Sequence, residues 1–274
     1  MRTCWQIIGG GARMGYTDIK YEKKDGVVRV TINRPEADNN LTTHTFTELG
    51  AAFREAEGEE DVGVVVLTGA GDRAFSVGGN VKAHIDRTPT SHRVHFARLV
   101  DASIAMRTMG KPIIAAVNGR CIGSANQLQL LCDLSIASDQ AIFGQHGSKR
   151  GGAPVFWGAQ LLTHFVGERK AREMVFLSRQ YTAKEAEAMG LINKVVPHKD
   201  LYAEVDRWCQ EILSMSPTSL RILKVSLNYK TDLCYPAIWH ARELLGLFTG
   251  TEERLEGTKA YVEGRKANFS KFRK

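Results

Sequence analysis

The sequence predicts an α/β fold, and three observations lead to it. A hairpin signal opens the chain, strand and helix patterns alternate through about residue 140, and helical patterns dominate from about Val155 onward. The 274 residues, 43% of them hydrophobic, suffice for one large domain or a domain with an appendage.

In chain order, "DIKYEKKDGVVRVTINRP" alternates apolar and polar residues on both sides of Asp25-Gly26, which predicts two strands joined by a tight turn. "THTFTELGAAFREAEG" sets Phe46, Leu49 and Phe53 on one helical face. "VGVVVL" is a strand of the type covered on both faces. A mobile-looking loop to Pro89, a helix around Val94 to Met109, the strand "PIIAAV", the turn "NGRCIGSA", a further helix and the strand "DLSIA" follow. In the last third, Leu201, Val205, Trp208 and Ile212 share a helical face. Ser216-Pro217 then reads as an N-cap with proline at the first helical position. The expected divisions are a tail (1–16), a core (17–200) and a helical C-terminal region (201–274), whose apolar faces such as "LLGLF" serve either assembly or packing on the core.

The apolar runs are far shorter than the roughly 20 residues of a membrane span, and the start of the chain lacks a secretory apolar segment. Five cysteines without a C-x-x-C pair suit a reduced, cytoplasmic protein. A formal charge of +7 favours anionic partners or a solvated basic surface. No basic run is interleaved with stacking aromatics, so nucleic acid is not expected.

Two glycine-containing turns follow buried strands: "GAGDRAFSVGGN" (69–80) and "NGRCIGSAN" (118–126). Without a Cβ, such turns let a ligand approach backbone N–H groups, and the second runs into a helix whose first turn favours negative charge. The turns can build an oxyanion site or serve chain geometry alone. "GRCIGSA" is not a G-x-S-x-G elbow, so no hydrolase nucleophile is read from it. His92 and His95 lack the companions of a metal site, and Gly9-Gly10-Gly11 lacks dinucleotide-binding spacing. No metal is expected.

"VTINRPEADNNLT", "VVVLTGAGDRAFSVGGNVK", "KPIIAAVNGRCIGSANQLQLLCDLSIASDQAIFGQ" and "AREMVFLSRQYTAKEAEAMGLINKVVP" together resemble the crotonase, or enoyl-CoA hydratase/isomerase, superfamily from about Asp18 to Phe269. The resemblance implies a spiral of ββα units with a helical C-terminal region used in homotrimers or dimers of trimers. It also implies an acyl-CoA substrate with no cofactor beyond the CoA moiety, and a thioester oxygen bound by the N–H groups of Gly79 and Ser124. Ala37, Asp38, Asn40, Ser76, Gly78, Asn80, Val81 and Lys82 fall on the segments that hold CoA. "AIFGQHGSKRGGAP", "GERKAREM" and "GTEERLEGTKAYVEGRKANF" look most like the branch of dihydroxynaphthoyl-CoA synthase and the ring-opening oxocyclohexane- and oxocyclohexene-carbonyl-CoA hydrolases.

The chain also departs from that pattern. The two hydratase carboxylates fall at Gln127 and Gly147, and neither an amide nor glycine titrates. The Ser, Asp and Tyr of naphthoate synthase fall at Gly152, Pro154 and Thr249, although its bicarbonate-site glycine matches Gly147. Hydrolytic C–C ring opening of a cyclic β-oxoacyl-CoA is the preferred expectation. Hydratase/isomerase or naphthoate-synthase-like activity, or a catalytically silent acyl-CoA binder, are the alternatives. His146 is a candidate acid or base, or a structural histidine. Asn126 and Gln127 either orient water and carbonyl or fill a polar pocket. His84, Gly147, Gly152, Pro154 and Trp157 are candidates for the acyl pocket, and Lys149 and Arg150 for contact with an acidic acyl tail.

Overall fold

A computed structural model describes residues 15–273; most of the expected N-terminal tail lies outside the described residues. The opening hairpin joins β1 (Ile19–Lys24) to β2 (Val27–Ile32), and both turn residues, Asp25 (φ 50°) and Gly26 (φ 79°), take the left-handed backbone that a two-residue turn demands. Helix α1 (Thr43–Gly58) follows, with a capping box between Thr42 and Thr45.

The next strands are β3 (Val64–Gly69), β4 (Ala74–Ser76), β5 (Ile113–Val117), β6 (Arg120–Ile122), β7 (Leu134–Ser138) and β8 (Ile142–Gly144). They come in pairs, each followed by a helix: α2 (Pro89–Thr108), α3 (Ser124–Leu131) and α4 (Gly158–Leu177). The first member of each pair joins one sheet and the second joins another, so the chain winds as a spiral of ββα turns. With β9 (Gln180–Thr182) and β10 (Lys194–Val196), the sheets run β1-β2-β3-β5-β7-β10 and β4-β6-β8-β9. Within the large sheet only β1-β2 is antiparallel, and within the small one only β8-β9.

The run "VGVVVL" owes its continuity to burial on both sides. Val65 and Leu67 pack into the main core with α1 and α2, whereas Val64 and Val66 pack beneath α6 (Leu201–Leu213) through Leu201, Val205 and Cys209. Three further helices close the chain: α7 (Pro217–Asp232), α8 (Tyr235–Phe248) and α9 (Glu252–Val262), with α5 (Ala183–Ala188) between β9 and β10. Ser216 caps α7 and Pro217 opens it, as the sequence predicts.

One expectation is corrected. Helix α2 starts at Pro89 and not near Val94, because Thr88 and Ser91 form a capping box with proline in the first turn. Helices dominate after Val155, as the sequence predicts; β9 and β10 have only three residues each, too few to show a period, and β10 completes the edge of the large sheet beside β7. Among the described residues no helix is long and apolar enough to cross a membrane.

Candidate active site

The two glycine-containing turns become neighbours through the small sheet. Strands β4 and β6 pair in parallel with Ser76 opposite Cys121, and Gly79 and Ser124 each lie three residues beyond that pair. Gly78 (φ 83°) lets the turns approach: a Cβ there would collide with the Ile122 carbonyl and stand 3.1 Å from Ser124 N. The backbone around them is engaged. Gly78 N–H donates to Ser76 Oγ at 3.1 Å, Asn80 N–H to the Leu41 carbonyl at 3.2 Å, and Gln127 N–H to the Gly123 carbonyl at 3.1 Å. The N–H groups of Gly79 and Ser124 have no acceptor among the described residues. Ser124 is also the first residue of α3, where unpaired N–H groups and the helix dipole favour negative charge.

Both residues line one cavity of about 160 Å³. Gln127 and His146 line it too, as do Val81, His84, Gly147, Gly152 and Pro154. Gln127 Nε2 donates to Gln145 Oε1 at 3.2 Å, and Gln145 is a buried wall residue that the sequence reading passed over. Gly147 holds the turn to Gly152 by accepting from Gly152 N–H at 2.8 Å. Among the described residues no carboxylate lines the cavity.

The histidines of this wall are held neutral. Burial, then the Arg150 and Lys149 charges, push the His146 imidazolium down to about 4. Gln180 Nε2 lies 3.2 Å from His146 Nε2; since an amide nitrogen only donates, this places the imidazole proton on Nδ1. Burial followed by the Arg87 charge takes His84 down to about 3, and burial followed by Arg254 takes His92 down to about 4. His92 and His95 sit on the cavity wall, so their spacing on α2 reflects a shared face. Among the described residues no group of three or more His, Cys, Asp or Glu stands together as a metal site.

Two expectations move. Trp157 is in the core and not on the wall: its left-handed backbone (φ 58°) caps α4, and its ring meets Tyr235 at 5.0 Å edge-on, while the neighbouring Phe156 faces the cavity. Asn126 likewise turns inward on α3, with Nδ2 3.9 Å from Met174 Sδ, and does not line the cavity.

The segments expected to hold CoA run alongside each other and meet the cavity wall at Val81. Val77 N–H donates to the Asp38 carbonyl at 3.2 Å and Leu41 N–H to the Gly78 carbonyl at 2.8 Å, which places Ala37, Asp38 and Asn40 beside Ser76, Gly78 and Asn80. Ser76 Oγ is spent on Gly78 N–H, and the Asp38 carboxylate pairs with Arg73 and Arg120 at 3.1 and 2.7 Å. Lys82 is exposed. The buried Asn39 holds this crossing, donating to the Ala70 and Ala74 carbonyls at 2.9 and 2.8 Å. Lys149 does not reach the wall, whereas Arg150 does. Arg87 and Arg254 are wall residues without any local sequence signal, since α9 reaches the cavity only through the fold.

Comparison with known proteins agrees with this architecture. A crystal structure of an enoyl-CoA hydratase from Mycobacterium avium subsp. paratuberculosis K-10 superposes with a TM-score of 0.84 at 29% identity, over 93% of this chain and 100% of that one. An enoyl-CoA hydratase/isomerase from Xanthobacter autotrophicus Py2 gives 0.83 at 31% identity, over 91% and 94%. A Geobacillus kaustophilus HTA426 structure described as enoyl-CoA hydratase subunit I gives 0.74 at 31% identity, over 93% and 98%. The family model described as enoyl-CoA hydratase/isomerase matches residues 22–272, nearly the whole chain, and the chain therefore belongs to that family.

Proposed function

We propose that this protein is an enzyme that binds an acyl-CoA, stabilises its thioester enolate between Gly79 N–H and Ser124 N–H, and hydrolytically opens a cyclic β-oxoacyl group. The observation that carries the reading is the pair of adjacent, unpaired N–H groups on the wall of one small cavity. Donors already in place where charge develops cost no reorganisation during reaction, and one such donor is typically worth roughly 2.7–4 kcal/mol in the transition state.

Ring opening suits the surrounding groups better than hydration. Gln127 and Gly147 offer no titratable group where hydration needs an acid and a base, and among the described residues no carboxylate stands elsewhere on the wall. In ring opening, water adds to the ring ketone, and the bond from that carbon to the α-carbon then breaks. Its electron pair passes to the thioester as the enolate, the α-carbon takes up a proton, and the former ketone carbon becomes a carboxylic acid at the far end of the opened chain and ionises. The reaction consumes one water, uses no redox or metal step, and draws mainly on position and charge stabilisation. The Gln127–Gln145 amide pair and the neutral His146 supply hydrogen bonds for water and carbonyl. The cavity of about 160 Å³ is close to the volume, about 150 Å³, that admits a benzene-sized ring. Likeness to the ring-opening branch adds support through "AIFGQHGSKRGGAP" and the C-terminal segment.

The segments Ala37–Asn40 and Ser76–Lys82 are assigned to CoA, with Arg73 and Arg120 close by for its phosphates. Exposed apolar residues on α7 and α8, among them Leu227 (79% exposed) and Leu247 (73%), support a homotrimer or dimer of trimers.

The test is incubation with cyclic β-oxoacyl-CoAs and linear enoyl-CoAs in deuterium oxide, followed by mass spectrometry. Ring opening with deuterium at the α-carbon is expected. Faster hydration of linear enoyl-CoAs would replace the proposal by hydratase activity, and tight binding without product or exchange would make the protein a silent acyl-CoA binder.

A further inference from the structure

We propose that Arg87, Arg150 and Arg254, with His92, form a carboxylate-binding subsite in the acyl cavity, so that the acyl group carries a carboxylate as well as the thioester, as substrate or as ring-opened product. The proposal rests on the acyl-CoA reading above and adds the chemistry of the acyl group.

Charge accounting inside the fold leads to this subsite. Other buried cations have partners: Arg107 with Asp232 at 2.6 Å, Lys224 with Asp133 at 2.7 Å, and Lys111 on the Ala56 and Glu59 carbonyls, both at 2.6 Å. In the cavity wall the pattern breaks. Arg87, Arg150 and Arg254 make no ion pair among the described residues, and no lining residue is acidic. Arg254 is only 4% exposed, and its Nε and Nη1 have no hydrogen-bond partner. His92, also 4% exposed, has both ring nitrogens unpartnered. A buried charge left without a partner is costly, so this arrangement suits a ligand that brings the anion.

The aromatic neighbours hold the guanidiniums without neutralising them. Arg150 lies over the Tyr261 ring at 3.9 Å and Arg254 near the Phe248 ring at 5.9 Å. Burial and the Arg254 charge lower Arg87 to about 10, the direction expected where cations crowd with no anion among them. A guanidinium fork binds a carboxylate through two parallel hydrogen bonds, and neutral His92 can add one N–H. CoA phosphate is a poorer occupant. The pantetheine arm separates thioester from phosphate by many bonds, and a cavity of about 160 Å³ that takes the thioester has no room for both.

The experiment compares glutaryl-, adipyl- and pimelyl-CoA with pentanoyl-, hexanoyl- and heptanoyl-CoA by calorimetry on the full-length protein. The best carboxylated ester should bind at least about tenfold more tightly than its neutral counterpart, equivalent to about 1.4 kcal/mol. In Arg254→Met that ratio should fall toward one. Should Arg254→Met not fold, Arg87→Gln, at a less buried position, must show the same fall in ratio. Equal affinity of the two series in the unaltered protein, or an unchanged ratio in both folded variants, overturns the subsite while leaving the acyl-CoA reading intact. Failure of every CoA ester to bind overturns that reading and this proposal together.

Discussion

Gln127 donates from Nε2 to Gln145 Oε1 at 3.2 Å, joining the first turn of α3 to the strand end after β8 across the cavity wall. The bond satisfies the only carbonyl of a fully buried amide whose Nε2 is otherwise unpartnered. Gln127→Ala should therefore cost about 1–3 kcal/mol in urea unfolding, the usual penalty for orphaning a buried polar group. Turnover of the cyclic substrate should fall with little change in KM. A stability change indistinguishable from zero would show that the bond does not persist in solution.

Gly79 N–H is the donor that can be deleted without removing a side chain. Gly79→Pro should lower turnover about 10²–10³-fold, the usual loss for one oxyanion donor. CoA-ester binding, measured by calorimetry, should persist. An unaffected rate in the folded variant removes this N–H from the mechanism.

Gly78→Ala tests geometry in place of chemistry. Its left-handed backbone (φ 83°) and the collision of a Cβ with the Ile122 carbonyl should move β4's end away from β6. Loss of both stability and ester binding is expected, checked by thermal unfolding and calorimetry. A variant with normal binding would mean that the Gly79–Ser124 spacing tolerates a shift.

The wall histidines set a pH signature. His84, His92 and His146 ionise lower in the folded chain than the ordinary value of 6.5, at about 3, 4 and 4. As pH falls below 6.5 the unfolded chain binds protons that the folded chain does not, so stability is full above 6.5 and declines toward pH 4. The urea midpoint should drop between pH 7 and pH 5, above the range where most carboxylates titrate, and His92→Gln should reduce that drop. A midpoint independent of pH across this interval contradicts the neutral, buried histidines.

The apolar faces of α7 and α8 bear on assembly. The protein should scatter light as a trimer or a multiple of three, and Leu227→Glu with Leu247→Glu should shift it toward the monomer. A monomeric unaltered protein at micromolar concentration would remove the assembly proposal and leave the apolar exposure of these residues to be explained by another partner.

Much of the fold was legible because its signals are short-range. Asp25-Gly26 names its turn through the left-handed backbone it permits, "VGVVVL" declares burial on both faces, and Ser216-Pro217 marks where α7 begins. The two glycine-containing turns were visible as well, and the family pattern singled out Gly79 and Ser124 within them. Other features depended on residues distant in the chain. Pairing of β4 with β6 set the two turns side by side, and packing turned Phe156 toward the cavity but Trp157 away from it. The return of α9 brought Arg254 into a cavity begun by residues far upstream. Periodicity and turn chemistry report what a segment prefers locally, so the sequence by itself determined the α/β class, the core strands and the backbone turns. The family pattern also named His84, Gly147, Gly152 and Pro154 for the pocket. Burial, charge balance and unpaired hydrogen bonds, however, exist only once distant segments meet, so the tertiary structure alone added Arg87, Gln145, Phe156 and Arg254 to the cavity wall and left its cations without an anion among the described residues.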